Sequence, residues 1–154
     1  MLTITKIFRF ETAHALHGYD GPCRNIHGHT YTLHVTIGAT AFSGEFIASP
    51  GILYDFKDLK KIVQEEVVSR YDHAILLSES FLKVNPHLKG LENLRVLDFE
   101  PSAENMLMDM QQSIAPKLPS GVHLVRLKLF ETADSYAELT GLTRPEGAGL
   151  NGPY

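Results

Sequence analysis

The stretch CRNIHGHTYTLHVTI, residues 23–37, holds one thiol and three imidazoles and then settles into strict alternation. From His29 the odd positions read His29, Tyr31, Leu33, Val35 and Ile37, and the even positions read Thr30, Thr32, His34 and Thr36. A period of two with one apolar side is the signature of a half-buried strand. Upstream, Leu2, Ile4, Lys6, Phe8, Phe10, Thr12 and His14 fall on even positions, with Thr3, Thr5, Ile7, Arg9 and Glu11 between them. The two segments therefore predict neighbouring strands with one shared apolar face. LHGYDGPCRN connects them, and its glycines, proline and Asp/Asn residues mark a loop. Cys23 thus sits on a loop that feeds a strand.

Downstream, GEFIASPG reads as a hairpin and GILYDF as a short strand. Asp55 is placed to cap a helix in which Phe56, Leu59, Ile62 or Val63, Val67 and Tyr71 recur at helical spacing. In residues 78–100 the NPHLKG part reads as surface loop and NLRVLDF as a strand. Pro101 and Ser102 open a second helix with Leu107, Met110 and Ile114 as its buried stripe, before Pro116 and Pro119 end it. The last strand, HLVRLKLFET, puts Val125, Leu127, Leu129 and Glu131 on one side. This order predicts an α+β fold with helices on one face of an antiparallel sheet. Residues 1–140 read as one domain, and the Gly/Pro-rich residues 141–154 as an extended or disordered tail.

A chain of 154 residues, 44% of them hydrophobic, suffices for one core. Its net charge of −4 gives no basic surface for nucleic acid or an anionic membrane, so an anionic ligand needs local cations. No apolar run approaches the roughly 18 residues that span a bilayer, and MLTITKIFRF alternates like a strand, so the expected compartment is the cytoplasm. With one cysteine, Cys23 is a free thiol, a ligand or a reagent.

His27 and His29, at i and i+2 on a strand, point the same way, and His14 lies on the matching face of the first strand. Three such imidazoles suit a zinc ion, whereas His34 belongs to the polar face. Whether Cys23 completes the coordination or acts as a thiolate beside it stays open on spacing alone. Asp72-His73 is a carboxylate–imidazole pair of the kind that relays protons, and also an ordinary helix-terminal dipeptide. Glu131 extends an apolar strand face, where a carboxylate is costly unless solvent or a ligand with two parallel N–H groups meets it. Glu104 lies in the first turn of the second helix, where the helix dipole favours it.

The segments FETAH (10–14), CRNIHGHTY (23–31), GILYDFKDLK (51–60), YDHAILL (71–77), PSAEN (101–105) and LFETADSYAEL (129–139) together resemble the 6-pyruvoyl-tetrahydropterin synthase superfamily. The resemblance implies a tunnelling fold. There, a four-stranded antiparallel sheet with two helices on one face assembles into an oligomeric barrel, usually a dimer of trimers, with active sites at subunit contacts. The three residues between Cys23 and His27 are similar to the spacing of bacterial 6-carboxy-tetrahydropterin synthases of queuosine and 7-deazaguanine biosynthesis. Pyruvoyl-forming enzymes typically insert five, and a folate-pathway branch has glutamate where this chain has Arg24.

By this resemblance His14, His27 and His29 would hold Zn2+. Cys23 would be the general base, Asp72 and His73 its proton relay, and Glu131 the acceptor of the pterin N–H groups. Glu104, Asn105 and the backbone of Thr132 would lie near the ring. The implied substrate is 7,8-dihydroneopterin triphosphate. A pyruvoyl-forming enzyme, a folate-pathway aldolase and a non-catalytic zinc-stabilised assembly module are the competing readings. The chain departs from the family pattern in the length of residues 78–100, in the tail after Leu139, and in Ala103, where a hydroxyl residue is common.

Overall fold

The computed structural model describes residues 2–40 and 44–142. The chain runs through β1 (Thr3–His14), a 3-10 turn (Pro22–Arg24), β2 (His27–Ala39), α1 (Phe56–Val63), a π-helical turn (Gln64–Val68), α2 (Ser69–Tyr71) and β3 (Ala74–Ser78). It continues with α3 (Glu79–Val84), a 3-10 turn (Pro86–Gly90), β4 (Leu94–Leu97), α4 (Ala103–Ile114), a 3-10 turn (Ala115–Lys117), β5 (Val122–Phe130) and β6 (Tyr136–Thr140). One sheet holds every strand, in the order β4-β3-β1-β2-β5-β6.

β1, β2, β5 and β6 pair antiparallel, but the sheet has six strands rather than the four expected. The expectation of a purely antiparallel sheet is corrected by β3 and β4, which extend it in parallel beyond β1. β4 returns after α3 in the direction of β3, as a helical crossover allows, whereas β3 runs opposite to β2, the strand before it, and so lies parallel to β1. The predicted strand at GILYDF does not form; residues 51–55 are bends and irregular backbone, with Gly51 at φ +82. YAELT, by contrast, is a sixth strand, with Ala137 and Leu139 packed against the core. Residues 79–84 form a helix, which the Ser78 hydroxyl caps by accepting the Phe81 N–H at 3.0 Å. Of the tail, residues 143–154 lie outside the described residues.

α1, α2 and α4 cover one sheet face, while α3 packs Phe81 and Leu82 with Ala15 and Leu77 in a second, smaller cluster. Asp55 caps α1 as its position predicts, accepting the Lys57 N–H at 2.7 Å, and Ser102 caps α4, accepting the Asn105 N–H at 3.3 Å. Leu59, Val63, Val67, Val68 and Tyr71 face Met106, Leu107, Met110 and Ile114 over Phe10, Leu33, Val35 and Leu127. Phe56, expected in the stripe, is instead about half exposed, beneath the Lys6 ammonium. Asp109 joins the two helical layers by accepting from the Tyr71 hydroxyl at 2.5 Å and pairing with Arg70 at 3.2 Å. Among the described residues no helix is long and apolar enough to cross a membrane.

β5 departs from simple alternation. Thr36 pairs with Arg126 but Ile37 pairs with Leu124, so Val125 is an extra residue in a bulge. Leu124, not Val125, is therefore the buried residue, and Val125 covers Gly38, where an added Cβ would come within 3.0 Å of Val125 Cγ2. The expectation for Val125 is corrected accordingly. Leu127→Ala should cost about 2–5 kcal/mol in chemical denaturation, and Val125→Ala about 1 kcal/mol or less. Equal costs would contradict the bulge.

Candidate functional site

The β1–β2 register sets His14 opposite His27 and Thr12 opposite His29. Directly opposed residues of an antiparallel pair share a face, so all three imidazoles emerge on the core side, at the end of the β1–β2 pair. Their ring centroids are 4.5 Å (His14–His27), 5.3 Å (His14–His29) and 4.9 Å (His27–His29) apart. One nitrogen from each ring lies within 4.8 Å of the other two. His34, on the opposite face, stays outside the cluster and packs against Phe130.

Two of the rings are oriented through their far nitrogens. His14 Nδ1 meets the Pro101 carbonyl at 2.6 Å, and His27 Nδ1 meets the Asn25 carbonyl at 2.8 Å. A carbonyl can only accept, so each Nδ1 carries the proton and donates, and each Nε2 keeps its lone pair. Burial holds the His14 pKa below the ordinary imidazole value, which favours the neutral ring that ligates. His29 Nε2 is buried without any hydrogen-bond partner. An orphaned ring nitrogen beside two rings anchored from behind is what a divalent cation with imidazole preference would satisfy. The donor set fits zinc.

Next to the cluster is a cavity of about 260 Å³ whose walls include His14, Cys23, Glu104, Glu131, Ser135 and Tyr136. Cys23, half-buried and unpaired, lies in the 3-10 turn; its carbonyl accepts the Leu16 N–H at 2.9 Å and folds the loop back on itself. Among the described residues the thiol is not part of the three-nitrogen grouping. Glu104 enters from the first turn of α4. Glu131 follows the end of β5, and its side chain, 31% exposed, lies in the cavity wall. Its Oε1 accepts the Tyr31 hydroxyl at 3.0 Å and stands 3.5 Å from His14 Nε2 and 3.7 Å from His29 Nε2.

Tyr31 is the functional candidate that residue-by-residue reading passed over. Its fully buried ring stacks on Phe10, while its hydroxyl reaches Glu131 and lies 3.3 Å from His14 Nε2. Burial, reinforced by the Glu131 charge, drives its pKa far above the ordinary phenol value, so it remains a donor. The available signal was its place as the next odd position after His27 and His29.

Four expected contributors lie elsewhere. Asp72 Oδ1 accepts the Glu11 N–H at 2.9 Å and sits 3.0 Å from His73 Nδ1. The Glu11 bond, then His73, lowers the Asp72 pKa. His73, at φ 57 and with its side chain 75% exposed, faces a different hollow, shared with Glu11, His29, Thr30 and Asn93. The Asp72–His73 pair thus forms as read, but one chain does not bring it to the Cys23 cavity. Thr132 is spent on the β5–β6 turn, its hydroxyl donating to Asp134 at 2.7 Å and its N–H to Ser135 at 3.3 Å. Its side chain borders another hollow, with Arg9 and His34. Asn105 is used within the fold, its amide donating to the Glu100 carbonyl at 2.9 Å.

Comparison with known proteins shows the fold and the family. The 6-carboxy-5,6,7,8-tetrahydropterin synthase of Haemophilus influenzae is 31% identical over 140 residues, covering 90% of this chain and 98% of its own. The protein of the same name from Rickettsia bellii is 27% identical over 143 residues, covering 90% and 100%. The 6-pyruvoyl tetrahydropterin synthase structure from Caenorhabditis elegans superposes with a TM-score of 0.61 at 23% identity, covering 91% of this chain and 95% of that one. An uncharacterized Wolinella succinogenes protein superposes at 0.71 and 19% identity, covering 91% and 98%. These structural likenesses establish a shared tunnelling fold. Residues 3–141 match the 6-pyruvoyl tetrahydropterin synthase family, and the chain belongs to it.

Proposed function

We propose that this protein is a zinc-dependent lyase of queuosine and 7-deazaguanine biosynthesis. It would convert 7,8-dihydroneopterin triphosphate and water into 6-carboxy-5,6,7,8-tetrahydropterin, acetaldehyde and triphosphate. The observation that carries the reading is the orphaned His29 Nε2, set beside two back-anchored imidazoles, of which His14 borders a cavity walled by a thiol and two carboxylates. The names of the Haemophilus and Rickettsia relatives, and the three-residue spacing between Cys23 and His27, favour the 6-carboxy product over the pyruvoyl or folate-precursor product. Residues 1–140 are taken as one catalytic domain.

His14, His27 and His29 would hold the zinc, which supplies Lewis-acid polarisation of a substrate side-chain oxygen. The remaining work falls to the chain. Cys23 takes a proton from the substrate side chain as general base. Glu131 accepts the paired N–H donors of the pterin ring, and the Tyr31 hydroxyl fixes the carboxylate by donating to Oε1. Glu104 faces the same ring from α4. Because Asp72 and His73 face away from Cys23 in their own chain, their relay serves the cavity of a neighbouring copy. The working form is accordingly an oligomer, for which a dimer of trimers is the proposed arrangement.

Incubating the zinc-loaded protein with dihydroneopterin triphosphate should yield 6-carboxy-tetrahydropterin by mass spectrometry. A pyruvoyl product would move the chain to the sister activity. No turnover with metal retained would favour the assembly module. Cys23→Ala should keep about one zinc per chain while kcat falls about 10²-fold or more; loss of the metal would make Cys23 a ligand.

Asp72 carries a prediction about acid stability. Its folded pKa lies below the ordinary value of 3.8. Its contribution is therefore present above that value and is lost as pH falls through the folded one. Asp72→Asn should be less stable than the parent at neutral pH, and the difference in denaturation midpoint should close on acidification. A difference independent of pH would contradict the lowered pKa.

A further inference from the structure

The segment entering α4 contains a carboxylate that no motif singles out. Glu100 is half-buried, and its Oε2 accepts the His17 N–H at 2.7 Å, joining positions far apart in the chain. Glu100 is itself held firmly: its carbonyl accepts the Ser102 N–H at 2.8 Å and the Asn105 side-chain amide at 2.9 Å. The next residue, Pro101, gives the carbonyl that orients His14.

Opposite this segment, the chain leaving β1 runs through Ala15, fully buried, to Leu16 and His17. Leu16 donates to the Cys23 carbonyl. The loop from Leu16 to Asn25 otherwise bonds mainly within itself, Arg24 to Gly21 at 3.2 Å and Asn25 to Pro22 at 3.0 Å. It carries Gly18 at φ +75 and has little regular structure beyond the 3-10 turn. Among the described residues, the His17–Glu100 bond is its hydrogen bond to the α4 segment. The His17 N–H donates to a side chain whose own backbone is pinned by two bonds, so this one bond ties the loop to the α4 segment. Such an anchor reduces the loop's freedom to open.

We propose that Glu100 is a positioning residue, which acts through the His17 amide to hold the Cys23 loop against the strand end bearing His14. It touches neither metal nor substrate. Glu100 and Pro101 then reference the thiol and one imidazole to the same two residues of backbone. The proposal rests on the reading of Cys23 as the reactive group, and its first readout is independent of turnover.

Two substitutions separate the hydrogen bond from the charge. Glu100→Gln keeps an acceptor oxygen at the same reach and removes the charge; Glu100→Asp keeps the charge and withdraws it by one methylene. In metal-loaded protein at one fixed pH, iodoacetamide should alkylate Cys23 about fivefold faster in Glu100→Asp than in the parent, and within about twofold of it in Glu100→Gln. Turnover should follow the same order, with kcat of Glu100→Asp down about tenfold and KM within about twofold. Equal alkylation rates in all three proteins would overturn the proposal, as would Glu100→Gln behaving like Glu100→Asp. A raised KM at unchanged kcat would make Glu100 a substrate contact and would overturn it too. If the parent itself turns over no pterin, the lyase reading fails, and the alkylation rates still decide the role of Glu100.

Discussion

The register between β1 and β2 is the constraint on which the rest depends. Twelve pairings, from Thr3 with Gly38 to His14 with His27, align the apolar sets of both strands on one side. A slip of one residue would carry the apolar set of the slipping strand to the other face. Either Phe8 and Phe10 or Leu33 and Val35 would then lose the helices, and His14 would be parted from His27 and His29. The energy that fixes the site is therefore mostly the burial of hydrocarbon several residues away. The imidazoles ride at the end of a strand pair whose alignment is set by its middle.

That placement has a cost, and the cost points to a ligand. Buried polar groups normally find hydrogen-bond partners, and one left unsatisfied costs about 1–3 kcal/mol. His14 and His27 each satisfy one nitrogen on a backbone carbonyl, and the carbonyls come from the two connections that frame the cavity, Pro101 before α4 and Asn25 before β2. The inward nitrogens crowd together with one of them orphaned. A cation offsets that penalty and adds stability to the folded state. Tyr31 and Glu131 then tie the cluster to the cavity, because a single hydroxyl links the aromatic core to a carboxylate beside two of the rings.

Sequence patterning conveyed this site well where the controlling physics is local. Alternation located β1 and β2, the three imidazoles and Glu131, and the side chains of Asp55 and Ser102 marked both long helices. It conveyed less where tertiary partners decide. β3 and β4 are short, and nothing in five or four residues announces that the neighbour will be parallel. Val125 looks like a core residue until its partner strand is known to skip it. The tie between Glu100 and His17 is invisible along the chain, since neither residue belongs to a periodic pattern. Asp72 and His73 were legible as a pair, whereas the hollow they face depends on where β1 leaves them.

The central claim is that three imidazoles hold a divalent ion while the thiol stands free beside it. X-ray absorption at the zinc edge of the loaded, substrate-free protein tests it directly. The account predicts a shell of nitrogen and oxygen donors alone, at about 2.0–2.1 Å. A sulfur scatterer at about 2.3 Å would place Cys23 on the metal and contradict it.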